Sequence, residues 1–133
     1  GPGHLYRAIL ESIALEYSIY LAQLKQLNPG LSVAQLRNTG GGNVSSVWKQ
    51  IKADALGVPL VDIRDFAGAT HGAAMLAGFG AGVLPDLRSA AARWVKTGET
   101  TDPDNGYREH YDRRIDRYTT SLKMVLDLMD SWK

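Results

Sequence analysis

Cysteine is absent from the 133 residues, so disulfides, thiolate nucleophiles and zinc–thiolate sites are all excluded, and the chain fits a reducing compartment such as the cytoplasm. Excess charge is absent too: 15 basic residues stand against 14 acidic ones, a formal net charge of +1. No field of that size recruits nucleic acid or an anionic membrane, and neither is expected as a partner. Histidine is scarce. His4, His71 and His110 are scattered, and none has a second ligand at metal-pair spacing, so no metal-binding residue is nominated. Ser45, Ser46 and Ser121 have no histidine near in sequence to serve as a base, so no catalytic residue is nominated either. The uncharged run from Ala67 to Leu84 is built from glycine and alanine around His71, which predicts a packed soluble helix rather than a membrane span. The opening "GPGHLYRAIL" lacks the basic region, apolar core and cleavage site of a secretory signal.

What is present amounts to one domain's worth of chain. Gly1 to Gly3 read as a lead-in, a cloning remnant or native sequence. Residues 4 to 133 read as a single unit. Leu5, Ile9, Ile13, Tyr17, Tyr20, Leu24 and Leu27 recur at helical spacing and predict one long helix, which Asn28, Pro29 and Gly30 stop. Leu10, Ala14, Leu15, Ile19 and Leu21 widen its apolar surface beyond one stripe, so this helix expects neighbours on more than one side. A short strand is predicted near Gln35 to Thr39, a helix over Ser46 to Leu56, and a buried strand over Pro59 to Ile63. Strand, helix, strand implies a right-handed parallel crossover. Helices are predicted over Ala69 to Ala81 and Leu87 to Val95, then a polar connection at "ETTDPDNGY". A last helix from near Tyr107 carries Tyr111, Ile115, Tyr118, Leu122, Val125 and Met129 as its stripe.

Between the first strand and its helix stand Gly40, Gly41 and Gly42. A glycine run is costly in backbone entropy, and one at a strand's end implies close approach of the backbone to something. The amides of such a turn and of the next helix's first turn point outward near the positive end of the helix dipole, which favours an anion. A Cβ at Gly41 would obstruct that approach and the positive φ such a turn uses. Ser45 and Ser46 are natural N-caps, so a glycine turn with a serine cap and no ligand stays open. A P-loop is excluded because the first lysine, Lys49, lies inside the helix. The dinucleotide fingerprint fits partly. Gly40 and Gly42 have its first spacing and Asp62 its acidic position, expected at the end of the next strand, but Ser45 stands where its third glycine belongs.

The segments "HLYRAILESIALEY", "TGGGNVSSVWKQIKADALGVPL", "GAAMLAGFGAGV" and "YREHYDRRIDRY", in that order, resemble the C-terminal end of the FGGY carbohydrate kinases, with a xylulokinase flavour. The resemblance covers nearly the whole chain from His4 onward. It implies an α/β fold: part of a ribonuclease H-like (actin-like ATPase) C-terminal subdomain, helix-rich with a short parallel strand pair. It also implies an ATP-dependent kinase that transfers the γ-phosphate to a ketose hydroxyl, with ATP and magnesium as cofactors. By that resemblance Gly40, Gly41 and Gly42 hold phosphate and Ser45 faces the adenine, where many relatives carry asparagine. Ala67 stands where relatives tend to have glutamate, and His71 replaces an aliphatic residue. The family's catalytic aspartate, sugar pocket and first phosphate loop lie in upstream segments, and this chain contains none of them. The expected partners are therefore ATP or ADP, a sugar only together with the N-terminal domain, and a second copy covering the strand edge and helix face left bare. A non-catalytic nucleotide-binding or interaction module and a dinucleotide-binding domain are the alternatives.

Overall fold

The computed structural model describes residues 1–41, 44–64 and 68–132. Helix α1 (Pro2–Leu27) opens on proline, whose fixed φ and missing N–H suit a first helical turn, and stops at Asn28. Strand β1 (Leu36–Asn38) leads to the glycine turn, and α2 (Ser46–Leu56) ends on Gly57 at φ +64. A Cβ at Gly57 would lie 2.3 Å from Arg108 Nη1, so this glycine serves both the left-handed cap and the close passage of the last helix. Strand β2 (Leu60–Arg64) follows; then come α3 (Ala69–Gly80) and α4 (Leu87–Trp94). Strand β3 (Lys96–Thr101) and α5 (Arg108–Asp130) complete the described fold.

Strands β1 and β2 pair in parallel, with Leu36 opposite Leu60 and Asn38 opposite Asp62, as the crossover predicts. The expected strand pair is nevertheless a three-stranded mixed sheet of order β1-β2-β3, because β3 runs antiparallel to β2. Residues 96–98, given no element, and the first three residues of the polar connection thus form an edge strand. Its sequence, KTGETT, has no apolar alternation, and its signal is the β-branched threonines alone. A register irregularity between Val61 and Ile63 marks a bulge.

The core lies where α1, α2 and α5 meet. Ala14, Leu15, Ile51, Ala55 and Tyr111 form it, with Leu10, Trp48, Ile115 and Tyr118 packed against them. Ala14 and Ala55 let the two helices approach closely, and Ser18 Oγ donates to the carbonyls of Ala14 (3.0 Å) and Ala55 (3.1 Å) at that contact. Glu11, buried on α1, pairs with Arg7 at 2.8 Å and with Arg114 of α5. The Tyr111 hydroxyl is buried and makes no well-formed hydrogen bond among the described residues; burial raises its pKa, and the nearby Arg7 guanidinium opposes that shift.

The stripe read along α1 is not its core face. Leu5, Ile9, Tyr17, Tyr20, Leu24 and Leu27 are exposed, while Glu11, Ala14, Leu15 and Leu21 are buried. Apolar residues run round so much of this helix that spacing alone cannot select the face that packs. Likewise α5 buries Tyr111 and half-buries Ile115 and Tyr118, but every residue from 119 to 132 is exposed, so Leu122, Val125 and Met129 stand in solvent. Helix α3, expected to be packed, buries Met75 alone and rests on α4; Gly78 lets the loop that follows α3 fold back on it, since a Cβ there would sit 3.0 Å from Leu84 Cδ1. The Ala67 departure lies outside the described residues. Among the described residues no helix is long and apolar enough to cross a membrane.

Candidate functional site

The site is built at the carboxyl end of β1, where open α/β sheets place ligands. Gly40 takes φ +86, so the positive φ expected at Gly41 belongs to its neighbour. A Cβ built on Gly40 or on Gly41 would meet no atom within 4 Å, and both residues are exposed. The backbone of this turn therefore faces open space beside the N-terminus of α2. Gly42 lies outside the described residues.

Ser45 is the N-cap of α2, in extended conformation, and its Oγ accepts the Trp48 N–H at 3.2 Å. That bond satisfies one of the helix's unpaired amides, so capping is part of this serine's role. The hydroxyl hydrogen stays available to an acceptor. Gly40 and Gly41 thus lie exposed just after β1, and Ser45 lies exposed at the start of α2.

Beneath the turn lies a cluster that the motif reading did not nominate. Lys49 Nζ donates to Asp62 Oδ2 at 2.7 Å and lies 3.9 Å from Glu99 of β3. Lys52 Nζ donates to Asn38 Oδ1 at 2.6 Å and sits over the Trp48 ring, 5.1 Å from its centroid. Asn38 Nδ2 in turn donates to Asp62 Oδ1 at 3.3 Å. Burial holds the Lys52 ammonium below the usual lysine range; the Asp62 carboxylate opposes that shift and Lys49 adds to it. Asp62 therefore stands in the middle of β2, occupied by Lys49 and Asn38, and not at a strand end facing a ribose. This corrects its expected place and removes the acidic element of the dinucleotide fingerprint. One signal was present in the sequence: a lone carboxylate in the apolar run "PLVDI" needs a cation, and Lys49 and Lys52 lie three apart on the preceding helix.

A cleft of about 500 Å³ opens beside this cluster, lined by its Asn38, Trp48 and Lys52 and, among others, by Ile13, Tyr17 and Leu36. Gly40, Gly41 and Ser45 do not line it. An apolar groove shares Tyr17, Leu36 and Leu56 with it and extends along α1 past Tyr20 and Leu24. Among the remaining titratable residues, His110 packs edge-on against Tyr107 and Tyr111. Among the described residues no three His, Cys, Asp or Glu side chains converge as metal ligands.

Comparison with known proteins places this geometry. Residues 1–81 match the FGGY family of carbohydrate kinases, C-terminal domain. An autoinducer-2 kinase of Klebsiella pneumoniae is 34% identical over 128 residues, covering 96% of this chain and 24% of that protein. A glycerol kinase of Citrifermentans bemidjiense is 42% identical over 92 residues, 69% of this chain and 18% of that protein. The crystal structure of xylulose kinase from Rhodospirillum rubrum superimposes with a TM-score of 0.75 at 30% identity, over 96% of this chain and 26% of that one. The chain thus spans about a quarter or less of the length of these relatives. A parallel β1–α2–β2 crossover with a glycine turn at its head, matched over more than half the sequence, identifies this chain as a member of the FGGY family of carbohydrate kinases that carries the family's C-terminal domain.

Proposed function

We propose that this chain is the nucleotide-binding portion of an ATP-dependent sugar kinase, with the phosphates of ATP or ADP held by the turn at Gly40, Gly41 and Gly42. The observation that carries the reading is the open backbone at Gly40 and Gly41, beside the N-terminus of α2 and within a matched family segment. Backbone N–H groups and the helix dipole there favour phosphate oxygens. Ser45, while accepting from Trp48, donates its hydroxyl hydrogen to a ring nitrogen of the base. Magnesium, which accompanies ATP in such transfers, neutralises phosphate charge; no residue of this chain is assigned to it.

The acceptor we propose is the hydroxyl of a ketose such as xylulose, bound by a domain outside this sequence, and the setting is cytoplasmic. Phosphoryl transfer requires the base, metal and acceptor to be positioned together. The isolated chain with Mg-ATP and xylulose should therefore release no ADP above background. The apolar groove along α1 and the free edge of β1 support self-association of the isolated chain, and light scattering at micromolar concentration should show a dimer. A monodisperse monomer would contradict that part. For the binding reading the test is calorimetry: ADP should bind while NAD stays silent, and NAD binding with ADP silent would overturn it.

A further inference from the structure

The buried cluster under the turn has a connectivity that burial alone does not require. Asn38 is the last residue of β1, two positions before Gly40, and Lys49 and Lys52 lie in the first two turns of α2, just after its cap Ser45. The strand that enters the turn and the helix that leaves it are thus joined directly through Lys52 and Asn38. They are joined again through Asp62, which accepts from Asn38 on one oxygen and from Lys49 on the other. Lys52 also covers the Trp48 ring, and the Trp48 amide is the one that Ser45 caps. A closed set of contacts therefore runs from Asn38 round to Ser45.

We infer that Asn38, Lys49, Lys52 and Asp62 are positioning residues for the nucleotide: they fix the spacing between the end of β1 and the start of α2 and so preset the turn that receives the phosphates. None of the four needs to touch the ligand. The Asn38 amide can make this arrangement in one orientation only, carbonyl toward the ammonium and NH₂ toward the carboxylate. Hydrogen bonds are directional where apolar packing is not, so an apolar replacement can restore stability without restoring the geometry. The inference rests on the nucleotide reading above for its ligand, and on the contacts alone for its effect on the turn.

Two double variants test it, each replacing a bonded pair with apolar side chains of similar size so that the fold survives: Asn38→Leu with Lys52→Met, and Lys49→Met with Asp62→Leu. Backbone NMR order parameters at Gly40, Gly41 and Ser45 and ADP affinity by calorimetry are read at a temperature where thermal melts show each variant folded. In both, the three order parameters should fall from rigid values to below about 0.6 and the ADP Kd should rise about tenfold. A merely structural cluster predicts that a variant with native-like melting also keeps native order parameters and affinity. Unchanged order parameters and a Kd within about threefold of the unaltered chain in either folded variant would overturn the inference. Should the unaltered chain bind no ADP, the nucleotide reading falls, and the order parameters alone decide whether the network sets the turn.

Discussion

Around Asn38 the buried side chains of Asn38, Lys49 and Lys52 and the half-buried Asp62 satisfy one another, whereas along α1 Leu5, Ile9, Tyr17, Tyr20 and Leu24 stand in solvent. The usual distribution of residues is inverted in both places, and the physical reasons differ. Buried charge persists where it is paired and geometrically constrained, so the first region reads as a device for holding backbone in place. Contiguous exposed apolar surface persists where something covers it, so the second reads as an interface. The first region ties β1 to α2 and β2; the second runs along α1, where Tyr17, Tyr20 and Leu24 share a groove with Leu36 of β1.

If the first region is the rigid one, single truncations there should be the most damaging in the chain. Asp62→Ala leaves the Lys49 and Lys52 ammoniums buried without their carboxylate and should cost about 3 kcal/mol or more in denaturant unfolding. Ile51→Ala, in the adjoining core, should cost about 3 kcal/mol through the cavity it leaves. Next comes the cap: Ser45→Ala should lower stability by about 1 kcal/mol by freeing the Trp48 amide.

Tyr111→Phe sharpens the contrast in the opposite sense, since it removes a buried hydroxyl that makes no well-formed hydrogen bond among the described residues and should raise stability by about 1 kcal/mol. Its pH dependence has a definite sign. The folded-state pKa of Tyr111 is raised, so the stability linked to its proton is fully present below the ordinary tyrosine pKa and is lost as pH climbs past it. The stability gain from Tyr111→Phe should therefore grow above about pH 10. Smallest of all, Leu24→Ser on the outer face of α1 should change monomer stability by no more than about 0.5 kcal/mol, while lowering the dimer fraction seen by light scattering. A loss near that of Ile51→Ala would place Leu24 in the core and break the comparison.

The same two regions show how far the sequence could be read. Helix ends carried strong local chemistry: the serine cap at Ser45, Gly57 at the end of α2 and the Asn28–Pro29 stop after α1 all sit within a residue or so of their expected places. The glycine turn was legible for the same reason. Three things were not. The packing face of α1 was hidden because apolar residues nearly encircle it. β3 was hidden because an exposed edge strand of lysine, threonine and glutamate looks like a loop. The network at Asn38 was hidden because it depends on the register that sets Asn38 opposite Asp62, a tertiary fact that spacing along one helix cannot supply.

The central claim is that the turn's open backbone is where phosphate binds, and Gly41→Val tests it most directly. A Cβ at Gly41 meets no atom within 4 Å, and this residue does not carry the turn's positive φ, so the substitution adds bulk on the ligand's side at little cost to the fold. Calorimetry with ADP on the unaltered chain and on Gly41→Val, with thermal melts of both, is the measurement. Binding lost at an unchanged melting temperature is the predicted result; ADP affinity equal in the two proteins would contradict the account.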